Sequence, residues 1–123
     1  MDEQEEARGP EAAAVDLTER TFDETLAAAD GIVMVDFWAP WCRPCVALAP
    51  VLEEVARAAQ GAVTLAKVNV DEEPTLAARH GIRSIPTVLF VKDGKIVDQV
   101  TGGVPKAQIE AKLAALAGAG PAS

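Results

Sequence analysis

The sequence predicts a single α/β domain with a central mixed β-sheet and helices on both faces. Three observations carry that expectation. Apolar, β-rich runs alternate with segments of helical periodicity, in the order β-α-β-α-β-α-β-β-α. Two of the runs, Ile32 to Trp38 and Val63 to Val70, are nearly continuous, as in strands covered on both faces. The last two strands flank Lys92-Asp93-Gly94, and Asp-Gly between apolar runs signals a hairpin, so the sheet is not purely parallel. At 123 residues the chain has room for one such domain and can bury a core without metal or disulfide staples.

Each element has its own signal. Ala14 to Leu17 is a short first strand. Thr21 with Glu24 three residues on reads as a capping box, opening a helix over Phe22 to Ala28. Ile32 to Trp38 follows as a strand, interrupted by the single charge of Asp36. Cys45, Leu48, Ala49, Leu52, Val55, Ala56 and Ala59 then recur at helical spacing up to Gly61, with Pro50 expected to kink the helix. Val63 to Val70 is the next strand, and Glu73 to His80 a short helix closed by Gly81. Thr87 to Val91 and Lys95 to Val100 form the hairpin strands. Ile109, Leu113 and Leu116 make one face of a last helix, with Pro105 near its first turn. Residues 1–13 read as a flexible acidic tail and residues 118–123 as a loose one, leaving 14–117 as the domain.

Composition narrows the function classes. Nineteen acidic residues against eleven Lys and Arg give a net charge of −8, the wrong sign for nucleic acid or an anionic membrane surface. No apolar run reaches the ~20 residues of a bilayer-spanning helix. The acidic start resembles neither a secretory signal nor a basic transit peptide, so the expected location is cytoplasmic and the expected state a monomer. There are only two cysteines, Cys42 and Cys45, and a pair so close together closes almost no loop. Chemistry explains them better than stability.

The segment Trp41-Cys42-Arg43-Pro44-Cys45 lies between a buried strand and a helix. Cys42 falls at the helix N-terminus, where free amide donors and the positive end of the dipole favour a thiolate. Cys45 lies on the apolar stripe, so it is expected to be shielded, and the spacing lets the two sulfurs bond. One cysteine attacks and the other resolves. The competing readings are a metal site and an inert structural pair. Zinc usually takes four ligands and the only other strong candidate, His80, is far along the chain, so no metal is expected. His80 itself reads as structural, a cationic side chain suited to the carbonyls of a helix end.

Val35-Asp36-Phe37-Trp38-Ala39, the Trp-Cys-x-Pro-Cys segment, Ala49-Pro50, Gly81-Ile82-Arg83-Ser84-Ile85-Pro86-Thr87 and Lys92-Asp93-Gly94 together resemble the thioredoxin family, in order and in spacing. The resemblance runs from Val15 to Leu116. It implies a thioredoxin fold and reduction of protein disulfides by dithiol–disulfide exchange at Cys42 and Cys45. It also implies no bound cofactor, with electrons arriving from NADPH through a thioredoxin reductase.

Asp36 and Lys67 are charges inside buried strands, and adjacent strands could bring them together as an ion pair. The resemblance places Asp36 beneath the cysteines as the proton acceptor for Cys45, with burial raising its pKa and Lys67 lowering it. It further implies a cis Ile85–Pro86 bond facing the cysteine pair, and an apolar docking surface at Trp41, Val70, Ile85, Gly102 and Val104. There Ile85 can pair with an extended substrate as an added strand. Trp38 is expected to support the active-site loop by packing.

The chain departs from the family's usual pattern at Arg43, where Gly is commoner. A fixed charge there could raise the reduction potential slightly, select acidic partners, or simply point into water. Two alternatives to the reductase reading stay open: a protein disulfide oxidase or isomerase, and a non-redox binding subunit using the same surface.

Overall fold

The computed structural model of the chain describes residues 14–118, so residues 1–13 and 119–123 lie outside the described residues, while Gly118, expected in the C-terminal tail, ends the last helix. The elements are β1 (Val15–Asp16), α1 (Phe22–Ala28), β2 (Ile32–Trp38), α2 (Arg43–Ala58), β3 (Val63–Asn69), α3 (Pro74–Arg79), β4 (Thr87–Lys92), β5 (Lys95–Thr101) and α4 (Lys106–Gly118). They form one five-stranded sheet in the order β1-β3-β2-β4-β5. β1, β3 and β2 run parallel, while β4 and β5 run antiparallel to their neighbours, as the mixed-sheet expectation requires. The hairpin turn has positive φ at both Asp93 (55°) and Gly94 (77°), the backbone that a two-residue turn matched to the strand twist demands.

Strand alternation divides the core into two layers. Ile32 and Met34 of β2 join Val63 and Leu65 of β3 beneath α2 and α4, packing with Leu48, Leu52, Val55 and Ile109. Val33, Val35 and Phe37 face the other way, against Phe22 and Leu26 of α1 and Leu76 of α3. Helices therefore cover both faces, and β2 is buried along its length up to the half-buried Trp38. The period of two decides where the site falls. Asp36 and Trp38 follow Ile32 and Met34 onto the α2 side, as Lys67 follows Val63 and Leu65.

Two local expectations are corrected, and a third is neither met nor contradicted. Thr21 makes no capping bond to α1; its Oγ1 accepts from the Thr18 amide at 3.0 Å. The amides of Thr21 and Phe22 both donate to the Thr18 carbonyl, so the turn that opens the helix begins three residues earlier. His80 is not a cation at a helix end. Its ring packs on Phe22 at 4.8 Å between centroids and lies 6.1 Å from Phe37. Burial, then Arg79, lower its pKa, which favours the neutral imidazole. Finally, α2 runs through Pro50 as one helix of 16 residues. Pro50 has no amide hydrogen, so the Val46 carbonyl lacks its intrahelical donor there.

Candidate active site

The site is assembled where β2 ends and α2 begins. Cys42 is the N-cap of α2, with an extended backbone, and its sulfur accepts the Cys45 amide at 3.2 Å. The two residues are joined as a disulfide, their Cα atoms 5.2 Å apart. Cys45 is 1 % exposed and Cys42 5 %, so the residual access belongs to Cys42. Arg43 and Pro44 occupy the exposed first turn. Ala39 packs with both cysteines, bordered by Trp38, Val70 and Ile85.

Cys42 Sγ lies 3.9 Å from the Ile85 carbonyl oxygen, and the Ile85–Pro86 peptide bond is cis. Pro86 in turn accepts a bond from the Gly102 amide at 2.8 Å, tying the Gly102–Val104 loop to the same place. Gly102 has φ +91°, and a Cβ built there would meet nothing within 4 Å, so the backbone conformation calls for glycine and the space above it is open. Trp41 is 67 % exposed, yet its ring is held, because the indole N–H donates to the Asp71 carboxylate at 2.9 Å. Trp41, Val70, Ile82, Arg83 and Ile85 line a hollow of about 200 Å³ on one side of the disulfide. Pro44, Leu48, Val51 and Val104 line a second groove of about 290 Å³. The residues expected to dock substrate thus fall on both flanks of the cysteine pair.

Beneath lies the buried charge. Asp36 is 1 % exposed, and among the described residues neither carboxylate oxygen has a hydrogen-bond partner. Burial pushes its pKa up to about 7, against the opposing pull of Lys67. Asp36 and Lys67 are register partners on β2 and β3, but the expected direct ion pair is not made. The Lys67 ammonium sits over the Trp38 ring, 4.4 Å from its centroid. The indole face competes for the cation, and the attraction to Asp36 acts across the gap. A carboxyl in this state can hold or release a proton near neutral pH.

The thioredoxin family model matches residues 13–115. The chain belongs to the thioredoxin family. It is 49 % identical over 96 residues to Thioredoxin 2 of Chlorobaculum tepidum, covering 78 % of this chain and 88 % of that one. Thioredoxin 1 of a Nostoc species is 46 % identical over 101 residues, or 82 % of this chain and 94 % of its own length. The chloroplastic M-type thioredoxin of Pisum sativum is 45 % identical over 97 residues, covering 79 % of this chain and 56 % of the pea protein. Thioredoxins are thiol–disulfide oxidoreductases that work through a redox-active cysteine pair and need no bound cofactor, and this chain is one of them. No described helix is long and apolar enough to cross a membrane. Among the described residues, no three His, Cys, Asp or Glu side chains are gathered as metal ligands would be.

Two participants in this thioredoxin-family site were given no role by the sequence, although Arg83 lies within a segment that carries the resemblance. Asp71 fastens Trp41 from thirty residues away, and Arg83 reaches the hollow from the loop before Ile85. Both belong to loops whose course no periodicity predicts.

Proposed function

We propose that this chain is a protein-disulfide reductase in which Cys42 attacks, Cys45 resolves and Asp36 moves the proton. The observation that supports the reading most is the buried, unpartnered Asp36 carboxyl on the sheet face that α2 covers, titrating near neutrality. In the reduced protein the Cys42 thiolate attacks one sulfur of a substrate disulfide. That S–S bond breaks, a mixed disulfide forms, and the other substrate sulfur leaves as a thiolate and takes up a proton. The Cys45 thiol gives its proton to the Asp36 carboxylate and attacks Cys42 Sγ. The second substrate sulfur leaves, and two electrons have passed from the dithiol to the substrate.

Lys67 keeps Asp36 from becoming too weak an acid to be ionised at all. Trp41, Val70, Ile85, Pro86, Gly102 and Val104 receive the substrate chain, with Arg43 and Pro44 forming the loop between the sulfurs. Restoring the dithiol takes two electrons and two protons, supplied in this proposal from NADPH by a thioredoxin reductase. The protein acts as a monomer in a reducing compartment, here the cytoplasm; the pea relative's name places that protein in the chloroplast.

The test is the equilibrium reduction potential in a thiol–disulfide buffer, followed by the fluorescence of Trp38 and Trp41. A value near the roughly −270 mV of strongly reducing thioredoxins is expected. A value near the roughly −120 to −180 mV of disulfide oxidases and isomerases would replace this reading with disulfide formation or shuffling.

A further inference from the structure

Arg43 and Arg83 flank the cysteine pair from different elements, one in sequence beside Cys42 and one on the hollow that Ile85 also lines. Arg43 directly follows Cys42 in the first turn of α2, and Arg83 stands two residues before Ile85, whose carbonyl oxygen lies 3.9 Å from Cys42 Sγ. Arg83 also lines the apolar hollow beside the disulfide. Both side chains are exposed. Among the described residues, neither has a carboxylate at ion-pair distance, whereas Arg79 is held by Asp23 and Lys106 by Glu54. Asp71, bonded to the Trp41 indole, keeps its charge at the edge of the hollow but is not at ion-pair distance from either arginine. In a chain of net charge −8, two guanidiniums near the cysteine pair that make no ion pair among the described residues are free to meet a carboxylate on an approaching segment. A guanidinium offers a planar fork of donors that fits a carboxylate.

We propose that this site selects substrate segments in which an acidic side chain lies next to the target disulfide and an apolar side chain enters the hollow at Trp41, Val70 and Ile85. Arg43 and Arg83 are the specificity-determining residues, attracting the acid and repelling a basic segment in its place. This inference rests on the exchange reaction proposed for Cys42 and Cys45, and names the substrate class for it. The Trp41–Asp71 bond serves it by keeping the hollow open before the substrate arrives, so little ordering remains to be done on binding.

The experiment uses the reduced full chain and three synthetic disulfide peptides that differ only in carrying Asp, Asn or Lys beside the cysteine. Rates are divided by those of dithiothreitol with the same peptides, which removes the effect of each charge on the sulfur itself. The Asp peptide is expected to be reduced about tenfold faster than the Lys peptide at low ionic strength, and the ratio to shrink at high salt. Arg43→Gly with Arg83→Gln should bring the ratio close to one. Arg57→Gln, at the far end of α2, should leave it in place. Equal normalised rates in the unsubstituted protein, or a preference that survives the double substitution, would overturn the proposal while leaving disulfide reduction intact. Failure to reduce any of the three peptides would instead remove the reductase reading beneath it.

Discussion

On the sheet, Asp36, Trp38 and Lys67 are positioned by the register of two parallel strands, with Trp38 against the cysteine pair. Around that pair, Trp41, Arg43, Val70 and Ile85 come from a helix entry and two separate loops. The floor is buried or half-buried and the rim half-buried or exposed, and the same kind of charge has different consequences in each. Lys67 acts on a buried carboxyl that has no hydrogen-bond donor among the described residues, so it moves that group's proton affinity and, through it, the stability of the fold. Arg43 stands in solvent, where its field is screened and its influence is confined to what approaches. Floor residues should therefore change thermodynamics and pH dependence, and rim residues should change recognition.

The largest effect belongs to the sulfurs that join the two regions. Cys42→Ser should abolish disulfide reduction, while Cys45→Ser should still attack and then remain attached to its substrate as a mixed disulfide, visible by mass spectrometry. Sustained turnover by either variant would break the division of labour. Next comes the floor. The Asp36 carboxyl loses its proton near pH 3.8 in the unfolded chain and only near 7 in the folded one, so folding takes up a proton between those values. The stability this preserves is whole below pH 4, falls as pH rises towards 7, and stays lost above it, by about 4 kcal/mol. Asp36→Asn should recover on the order of that amount near pH 8 and almost none near pH 4, measured by urea unfolding. Equal gains at both pH values would mean that charge burial is not the cause.

Smaller effects sharpen the contrast. Lys67→Met removes the one charge that lowers the Asp36 pKa, so the midpoint should rise further above 7, read from the carboxyl's titration by NMR. Trp41→Ala is a rim change. It should raise KM for a protein disulfide about fivefold with little change in Tm, since the ring is two-thirds exposed. A large drop in Tm would place Trp41 with the floor instead. The smallest effect is that of Arg43→Gly, expected to lower the reduction potential by about 10–30 mV. An unchanged potential would leave Arg43 to recognition alone.

What the sequence disclosed follows the same boundary. Asp36 and Lys67 stand out as charges within apolar runs because strand burial makes any charge there anomalous, and their facing positions follow from adjacent parallel strands. Their failure to touch was not legible, because it depends on where the Trp38 indole turns, a rotamer chosen by tertiary packing. His80 misled for a related reason: position at a helix end suggests a cation, and only packing against Phe22 and Phe37 reveals a neutral ring. Thr21 and Glu24 satisfy the pattern of a cap, yet Thr18 offers the same chemistry and its carbonyl takes the bonds. The two-residue hairpin was readable in full, because its backbone demands Asp-Gly chemistry at those positions. On the rim, the cysteines and Arg43 announce themselves, but Asp71 and Arg83 enter through loop geometry.

The missing backbone donor at Pro50 bears on how the cysteine turn lives with both redox states. Leu52, Val55 and Ala56 past that point and Leu48 just before it are held in the core, while Cys42 caps the helix and Cys45 lies in its first turn. A helix bends most cheaply where a rung is absent. The absent rung is therefore where α2 would yield most readily to any shift of the cysteine turn between disulfide and dithiol.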